Sequence, residues 1–328
     1  MSARHVDPVR VGVIGLGSFG TLHATTLLGL AEAELVAVVA RREASLAEFA
    51  PLAPDVPGWL DLGEAIAESD AEAWIVATST ASHVPLTRQL LEAGKPVLLE
   101  KPIAERVLDA EQLAPLVADD SANLMLGHIL LFNSEFRQLL DELARGRTLR
   151  YIDAVRHRPF ALMERYPGES PFDLLMTHDL YCLQAMVSRA EPVSFSAQTH
   201  QTSDGQTDLA LGQLTWEDGC VASVTASFMT PAGMPDDGFD RMEVFGDGWA
   251  AHVSSNPRPI TIYEDKVRWP MALELRADPG GSSGMLAEQL RCFARVVRGL
   301  ESVPMGATYQ DALQVQRWLE ELKRVAGE

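Results

Sequence analysis

Gly15, Gly17 and Gly20 stand within six residues of one another in the stretch VGVIGLGSFGTLHA, residues 11–24. Glycine inside a regular element costs about 0.5–1 kcal/mol against alanine, so three together need a task. The spacing is G-x-G-x-x-G. It follows a β-branched run (Val9, Val11, Val13, Ile14) and leads into a helical pattern over residues 21–31. A strand-to-helix turn of this kind suits a pyrophosphate. Gly15 permits the tight turn, Gly17 lets the backbone approach the phosphates, and Gly20 lets the helix lie close to the sheet. Leu16, Ser18 and Phe19 fill the turn, and the helix N-terminus offers free N–H groups and partial positive charge. The alternative is a purely structural glycine turn.

Further groups fall at the ends of the next apolar runs. About 20 residues after such a turn, an NAD site usually carries an acid for the ribose 2′-hydroxyl. Here AELVAVVARRE (33–43) offers Ala40, then Arg41 and Arg42. A small residue followed by planar, fork-shaped cations suits a 2′-phosphate, which favours NADP(H) over NAD(H); otherwise the pair is a solvated basic loop. In AEAWIVATSTASH (71–83), Thr78, Ser79 and Thr80 end a strand and His83 opens a helix that closes at Gly94. Those hydroxyls are placed for ribose and phosphate, or for helix capping. KPVLLEKP (95–102) ends in Glu100, Lys101 and Pro102. The candidate dinucleotide contacts are therefore Gly15, Leu16, Gly17, Ser18, Phe19, Gly20, Ala40, Arg41, Arg42, Thr78, Ser79, Thr80, His83, Glu100 and Lys101.

The elements that hold these groups alternate strand and helix as far as ANLMLGHILLF (122–132), which reads as a last strand and a crossing point. After the helix SEFRQLLDELARG the period becomes two, in YIDAVRHRPF, PVSFSAQTHQ, LALGQLTWEDGCVASVTASFM and RMEVFGDGWAAHV. Asp218-Gly219 and Gly246-Asp247-Gly248 are hairpin signals between such runs. Helices follow at about 285–299 and 307–326. The fold class is α/β: a Rossmann dinucleotide-binding domain over residues 1–128, then an α+β domain with a large, mostly antiparallel sheet over residues 129–328. The chain has 328 residues, a formal net charge of −19 and three scattered cysteines, Cys182, Cys220 and Cys292. The anionic balance disfavours nucleic-acid partners. No apolar run reaches the roughly 20 residues of a membrane span, and no metal-type Cys/His cluster is seen. The odd cysteine count and plain N-terminus suit a cytoplasmic protein with buried thiols.

The motifs GVIGLGSFGTLH, VATSTASH, LLEKPIA, LGHILLFNSEFR and THDLY, in that order and spacing, resemble the glucose–fructose oxidoreductase / inositol dehydrogenase / rhizopine-catabolism family of NAD(P)-dependent oxidoreductases. The resemblance covers nearly the whole chain. It implies hydride transfer to or from a sugar, polyol or related carbonyl compound, and a homodimer or homotetramer formed through the free face of the second sheet. Apolar positions from Val221 to Phe228 are compatible with that contact. Such a reaction moves a proton as well as a hydride, and histidine titrates in the right range. The resemblance maps the proton carrier onto His178 and a lysine that hydrogen-bonds the substrate oxygen onto Lys101.

One family residue does not match. The acid expected four residues before His178 is Leu174, and Asp173 stands one residue earlier, about 100° round a regular helix. Ser170-Pro171-Phe172-Asp173 reads as a capping box. Asp179 matches the family and reads as a structural partner. Arg156 and Arg158 share a strand face, open either to an anionic substrate or to solvent. His23, His83 and His128 read as packing or hydrogen-bonding residues, and Tyr166 as a loop anchor. The missing acid leaves a second reading, a dinucleotide sensor without turnover resembling the yeast galactose-pathway repressor.

Overall fold

The computed structural model describes residues 7–231, 234, 240–254, 262–263, 267–268, 277–278 and 281–328. Packing divides the chain into two units, each assembled from two stretches. Residues 1–132 join 271–310, and residues 133–270 join 311–328.

The first unit holds six strands: β1 (Val9–Ile14), β2 (Ala33–Val39), β3 (Gly58–Trp59), β4 (Ala73–Val76), β5 (Val97–Leu99) and β6 (Leu124–Leu126). All pairings are parallel, in the order β3-β2-β1-β4-β5-β6. Ala73, Trp74, Ile75 and Val76 are wholly buried, as expected for a parallel strand covered on both faces. The helices are α1 (Ser18–Leu27), α2 (Glu43–Phe49), α3 (Leu62–Glu68), α4 (His83–Glu92) and the short α5 (Val107–Glu111). Gly94, at φ +69°, closes α4. The returning stretch supplies α9 (Gly284–Val297), which lies against α1 and β2. Ser282, just before α9, donates to the Thr26 carbonyl at 2.6 Å.

The second unit opens with α6 (Ser134–Ala144), where the Asn133 side chain accepts the Phe136 N–H at 3.0 Å as an N-cap, and carries the short α7 (Ala161–Arg165) further on. Its sheet contains β7 (Tyr151–Pro159), β8 (Ser194–Gln201), β9 (Thr207–Thr215), β10 (Val221–Thr230), β11 (Arg241–Gly246) and β12 (Trp249–Val253), in the order β12-β11-β7-β10-β9-β8. Every pairing is antiparallel except β7 with β10. Both hairpins expected from the sequence form, with Gly219 at φ +83° and Gly248 at φ +76°. One sheet face is covered by helices, including α8 (Thr177–Met186) and α10 (Tyr309–Ala326). A side chain at Gly212 would meet Leu322 of α10 at 3.2 Å.

The apolar residues of β10 correct one expectation. Ala222, Val224, Ala226 and Phe228 are buried on the helix-covered face, because period-two alternation sends them all to one side. The opposite face presents Val221, Ser223 and Thr225 instead, half-buried. Beside them lie exposed Leu211, Tyr151 and Phe245, the last two rings stacked at 5.9 Å. No helix among the described residues is long and apolar enough to cross a membrane.

Candidate functional site

In the first unit Ile14 pairs with Val76, and Val76 with Leu99. Gly15, Ala77 and Glu100 therefore leave the sheet at one level, at the carboxyl ends of three parallel strands. The strand order reverses between β1 and β4, and open α/β sheets bind ligands at such a reversal.

The three glycines have three different reasons. Gly15 lies at φ +92°, and a side chain there would strike the Ala77 carbonyl. A side chain at Gly20 would strike the Gly15 carbonyl, so this glycine sets how closely α1 approaches the turn. Gly17 has ordinary backbone angles and nothing within 4 Å of where a Cβ would sit. It leaves open space at the first turn of α1, which has neither a side-chain cap nor an acidic residue. Main-chain N–H groups there are available to an anion. Leu16, Ser18 and Phe19 line this turn, and Phe19 sets its ring edge against His23 at 5.2 Å.

At the end of β2, Ala40 is buried and its N–H donates to the Trp59 carbonyl at 3.1 Å. Arg41 and Arg42 are exposed, and Arg42 Nη2 donates to Ser45 Oγ at 3.3 Å. At the end of β4, Thr78 and Thr80 are half-buried and Ser79 is exposed. Neither Ser79 nor Ser82 makes a side-chain cap, so capping does not account for this cluster. Ser79 and Ser82 hydroxyls lie 3.2 Å apart.

His83 and Glu100 are turned inward. His83 Nδ1 is 2.7 Å from the Pro102 carbonyl and Nε2 is 3.2 Å from the Thr78 carbonyl. Burial holds its pKa below the ordinary value, against the pull of those two acceptors. A neutral ring donates from only one nitrogen, and the shorter contact fits that donor. The ring thus braces the two loops that carry Thr78 and Lys101. Glu100 Oε1 is 2.8 Å from His23 Nε2, its Oε2 accepts the Lys101 N–H at 3.3 Å, and a side chain at Gly127 would come within 2.7 Å of it. Glu100 ties α1 to the end of β5 and leaves the half-buried Lys101 side chain to follow it. His128 Nδ1 is 2.5 Å from the Gly306 carbonyl and buried, a packing role.

In the second unit His178 sits in the first turn of α8, half-buried. Its Nδ1 is 3.0 Å from the hydroxyl of Tyr181, one turn on, with the rings edge to face at 5.7 Å. Asp179 points the other way into a buried network. Arg156 donates to it through Nε and Nη2 at 3.1 and 3.0 Å, and through Nη1 to Asp240 at 2.8 Å. Arg158 also donates to Asp240, at 2.5 and 2.8 Å. Burial works against the Arg156 charge, but Asp179 and Asp240 raise its pKa overall. Burial pushes Asp179 up, and Arg156 opposes it. Both readings of the arginine pair are thereby corrected. Arg156 and Arg158 are committed to carboxylates inside the unit, not spread over a solvated face or left for an anion.

The capping box before His178 is also corrected. The chain makes a π-turn at Phe172–Met176, which holds one residue more than an α-turn. Ser170 Oγ donates to the Asp173 carboxylate at 2.9 Å instead of taking a backbone N–H. Lys323 Nζ, from α10, donates to both Asp173 oxygens at 3.0 and 2.8 Å. Tyr166 is half-buried with the Arg165 guanidinium 5.5 Å over its ring. Sequence reading missed Tyr181 and Lys323. The three-residue step from His178 to Tyr181 on a helix could have found the first; nothing local announces the second. Burial raises the Cys182 thiol pKa and pushes that of Cys220 up to about 11, so neither is a ready thiolate.

Comparison with known proteins fits this arrangement. The profile of the GFO/IDH/MocA oxidoreductase family, NAD-binding Rossmann fold, matches residues 9–128, and that of the GFO/IDH/MocA C-terminal domain matches residues 122–250. Inositol 2-dehydrogenase of Rhizobium meliloti (strain 1021) is 29% identical over 276 residues, covering 77% of this chain and 78% of its own. UDP-N-acetylglucosamine 3-dehydrogenase of Acidithiobacillus ferrooxidans is 28% identical over 222 residues, 67% of each chain. The structure of scyllo-inositol dehydrogenase from Lactobacillus casei, with bound NAD(H) and scyllo-inositol, superposes with a TM-score of 0.82 at 19% identity, covering 97% of each chain.

Proposed function

Because this chain belongs to the GFO/IDH/MocA family of oxidoreductases, we propose that it interconverts a secondary hydroxyl and a carbonyl on a sugar, polyol or related compound, using NADP(H) in preference to NAD(H). The observation that carries the reading is the open space over Gly17 at the N-terminus of α1, at the carboxyl ends of the strands that also lead into Thr78, Ser79, Thr80 and Lys101. These residues fit a dinucleotide: N–H groups and helix charge for its pyrophosphate, hydroxyls for its ribose. When bound, the nicotinamide supplies the hydride acceptor or donor. The preference for a 2′-phosphate rests on Arg41 and Arg42 beside the acid-free position Ala40.

The chain's own residues handle the proton and the developing charge. Lys101 donates a hydrogen bond to the reacting oxygen and stabilises negative charge as it builds there. His178 takes the hydroxyl proton on oxidation and returns it on reduction. The relatives are named for inositols and a sugar nucleotide, which supports a substrate with several hydroxyls. Assembly as a homodimer or homotetramer is proposed through the open face of the second sheet, where Tyr151, Leu211 and Phe245 are exposed. The direct test follows NADPH and NADH absorbance with purified protein against a panel of inositols, aldoses, ketoses and diketones. Turnover on one polyol or its ketone, lost in Lys101→Ala, is expected. No turnover on the whole panel, with dinucleotide still bound, would refute the catalytic reading.

A further inference from the structure

We propose that Glu100 is a positioning residue for Lys101 and that His23 holds it in place, so that the helix meeting the dinucleotide also sets the lysine. The proposal rests on the readings of Lys101 as the donor to the reacting oxygen and of the α1 turn as the pyrophosphate platform. Glu100 stands just after β5 and is almost wholly buried. Its N–H donates to the Val76 carbonyl at 3.0 Å, which fixes its main chain to β4. Its carboxylate has two partners: Oε1 lies 2.8 Å from His23 Nε2, and Oε2 accepts the Lys101 N–H at 3.3 Å.

The surroundings leave that carboxylate one place. At Gly127, just after β6, a Cβ would come within 2.7 Å of Oε1 and 2.9 Å of Cδ, so the carboxyl group fills the space where a side chain would stand. His23 is fully buried on α1, and its Nδ1 has no hydrogen-bond partner among the described residues. The ring's polar commitment is therefore the carboxylate alone. Burying a ring nitrogen without a partner is unfavourable, and an apolar side chain of that size would avoid it. What an apolar side chain lacks is the donor toward Glu100. One turn earlier on the same helix, in its first turn, Phe19 sets its ring edge against His23 at 5.2 Å.

An ionised carboxylate only accepts hydrogen bonds, so Nε2 carries the hydrogen and donates. The contacts then run without a break from the platform turn through Phe19 and His23 to the Glu100 carboxylate, and on to the peptide nitrogen of Lys101. Close-packed interiors have low compressibility and transmit displacement, so Lys101 takes its main-chain position from the helix that also presents the platform N–H groups. A reacting group misplaced by about 1 Å loses about 100-fold in rate. Glu100 thus acts on turnover through Lys101, without touching substrate or dinucleotide.

The test uses intact protein labelled with ¹⁵N-lysine. The chain has four lysines, and the Lys101 amide is assigned by its loss in Lys101→Arg. An amide hydrogen bonded to a carboxylate resonates at low field and exchanges slowly, and both features are expected for Lys101 in the wild type. The amide nitrogen in His23→Asn falls one bond short of the Nε2 position, and His23→Gln restores the reach. The Lys101 signal should move upfield in His23→Asn and in Glu100→Ala, and return in His23→Gln. His23→Asn should lower kcat by about 10- to 100-fold, with NADPH affinity by calorimetry within about three-fold, and His23→Gln should recover most of the loss. Where His23→Asn does not fold, the wild-type amide decides: a high-field, fast-exchanging Lys101 amide overturns the proposal. A signal that ignores both substitutions, or the same kcat in folded His23→Asn and His23→Gln, overturns it as well. If the amide follows the carboxylate while Lys101→Ala turns over like the wild type, the positioning stands and the catalytic reading of Lys101 falls.

Discussion

Replacing Gly17 by alanine should separate cofactor binding from folding, because the structure gives this glycine no internal duty. A Cβ there meets no atom within 4 Å, and the backbone, at φ −73°, is one that alanine adopts. Restricting the unfolded chain favours alanine by about 0.4–1 kcal/mol. Alanine is a poorer N-cap than glycine by about 0.5–1 kcal/mol. The two nearly cancel, so the melting temperature without ligand should stay within about 3 °C of wild type. Binding should behave differently, because the new methyl occupies the space a pyrophosphate needs. At a dinucleotide concentration 100 times its Kd, ligand stabilises the wild type by about 2.7 kcal/mol, an upward shift of roughly 5–10 °C. In Gly17→Ala that shift should largely vanish. Gly20→Ala is the contrasting case, because its Cβ would strike the Gly15 carbonyl; it should lower the unliganded melting temperature itself. Differential scanning fluorimetry with and without NADPH, backed by calorimetric titration, reads both. If Gly17→Ala keeps the full ligand-induced shift, the turn is not the pyrophosphate platform and the reasoning from open space is wrong.

Lys101→Ala should leave NADPH binding within a few-fold and lower turnover by at least about 100-fold, read by steady-state kinetics on the substrate found in the panel. Arg41→Ala should weaken NADPH by roughly 10- to 100-fold, the value of one charge-assisted hydrogen bond, with NADH little changed; an NADH loss confined to Glu43→Ala, the acid opening α2, would reverse the cofactor assignment. Arg156→Met strands Asp179 in the interior without its partner and should cost about 3–5 kcal/mol by urea unfolding, and Asp179→Asn in the same chain should recover part of it. The Arg298 guanidinium holds Glu72 down to about 2 from 4.5. Since the folded pKa is depressed, this support is present above about pH 4.5 and is lost as pH falls toward 2. Arg298→Ala should lower stability at neutral pH, flatten that acid limb, and converge on wild type as pH approaches 2, read by urea unfolding across pH.

The first unit was legible because its signals are local. β-branched runs, a glycine fingerprint and Gly94 at a helix end each need only a few neighbouring residues to be read. The hairpins at Asp218-Gly219 and Gly246-Asp247-Gly248 were legible for the same reason. What escaped depends on residues far apart. The parallel pairing of β7 with β10 joins Tyr151 to Val221, which no turn residue announces. Arg156 and Arg158 were left between an anionic substrate and a solvated face because their partner, Asp240, lies more than 80 residues on. Asp173 was read as a cap because Ser-Pro-Phe-Asp is a sound local pattern, yet Lys323 across 150 residues outbids it. The π-turn escaped because periodicity arguments assume 3.6 residues per turn, and the inserted residue is paid for by tertiary packing. His178 was legible only through the resemblance, and Tyr181 only once the helix was built.

The first unit is interrupted in the covalent sense: its residues 271–310 are encoded after the second unit's main stretch. During synthesis, α1 and β2 emerge early, but α9, which covers part of both, is still unmade. At ordinary translation speeds the delay from residue 132 to residue 310 is roughly ten to forty seconds. For that interval the nascent nucleotide-binding half exposes the apolar surface that Met285, Leu286, Leu290 and Phe293 later shield. Ribosome-bound intermediates of this chain should therefore recruit holdase chaperones. A gene truncated near residue 130 should yield aggregation-prone protein, while circular permutants that bring residues 271–310 next to the N-terminal stretch should fold that half earlier.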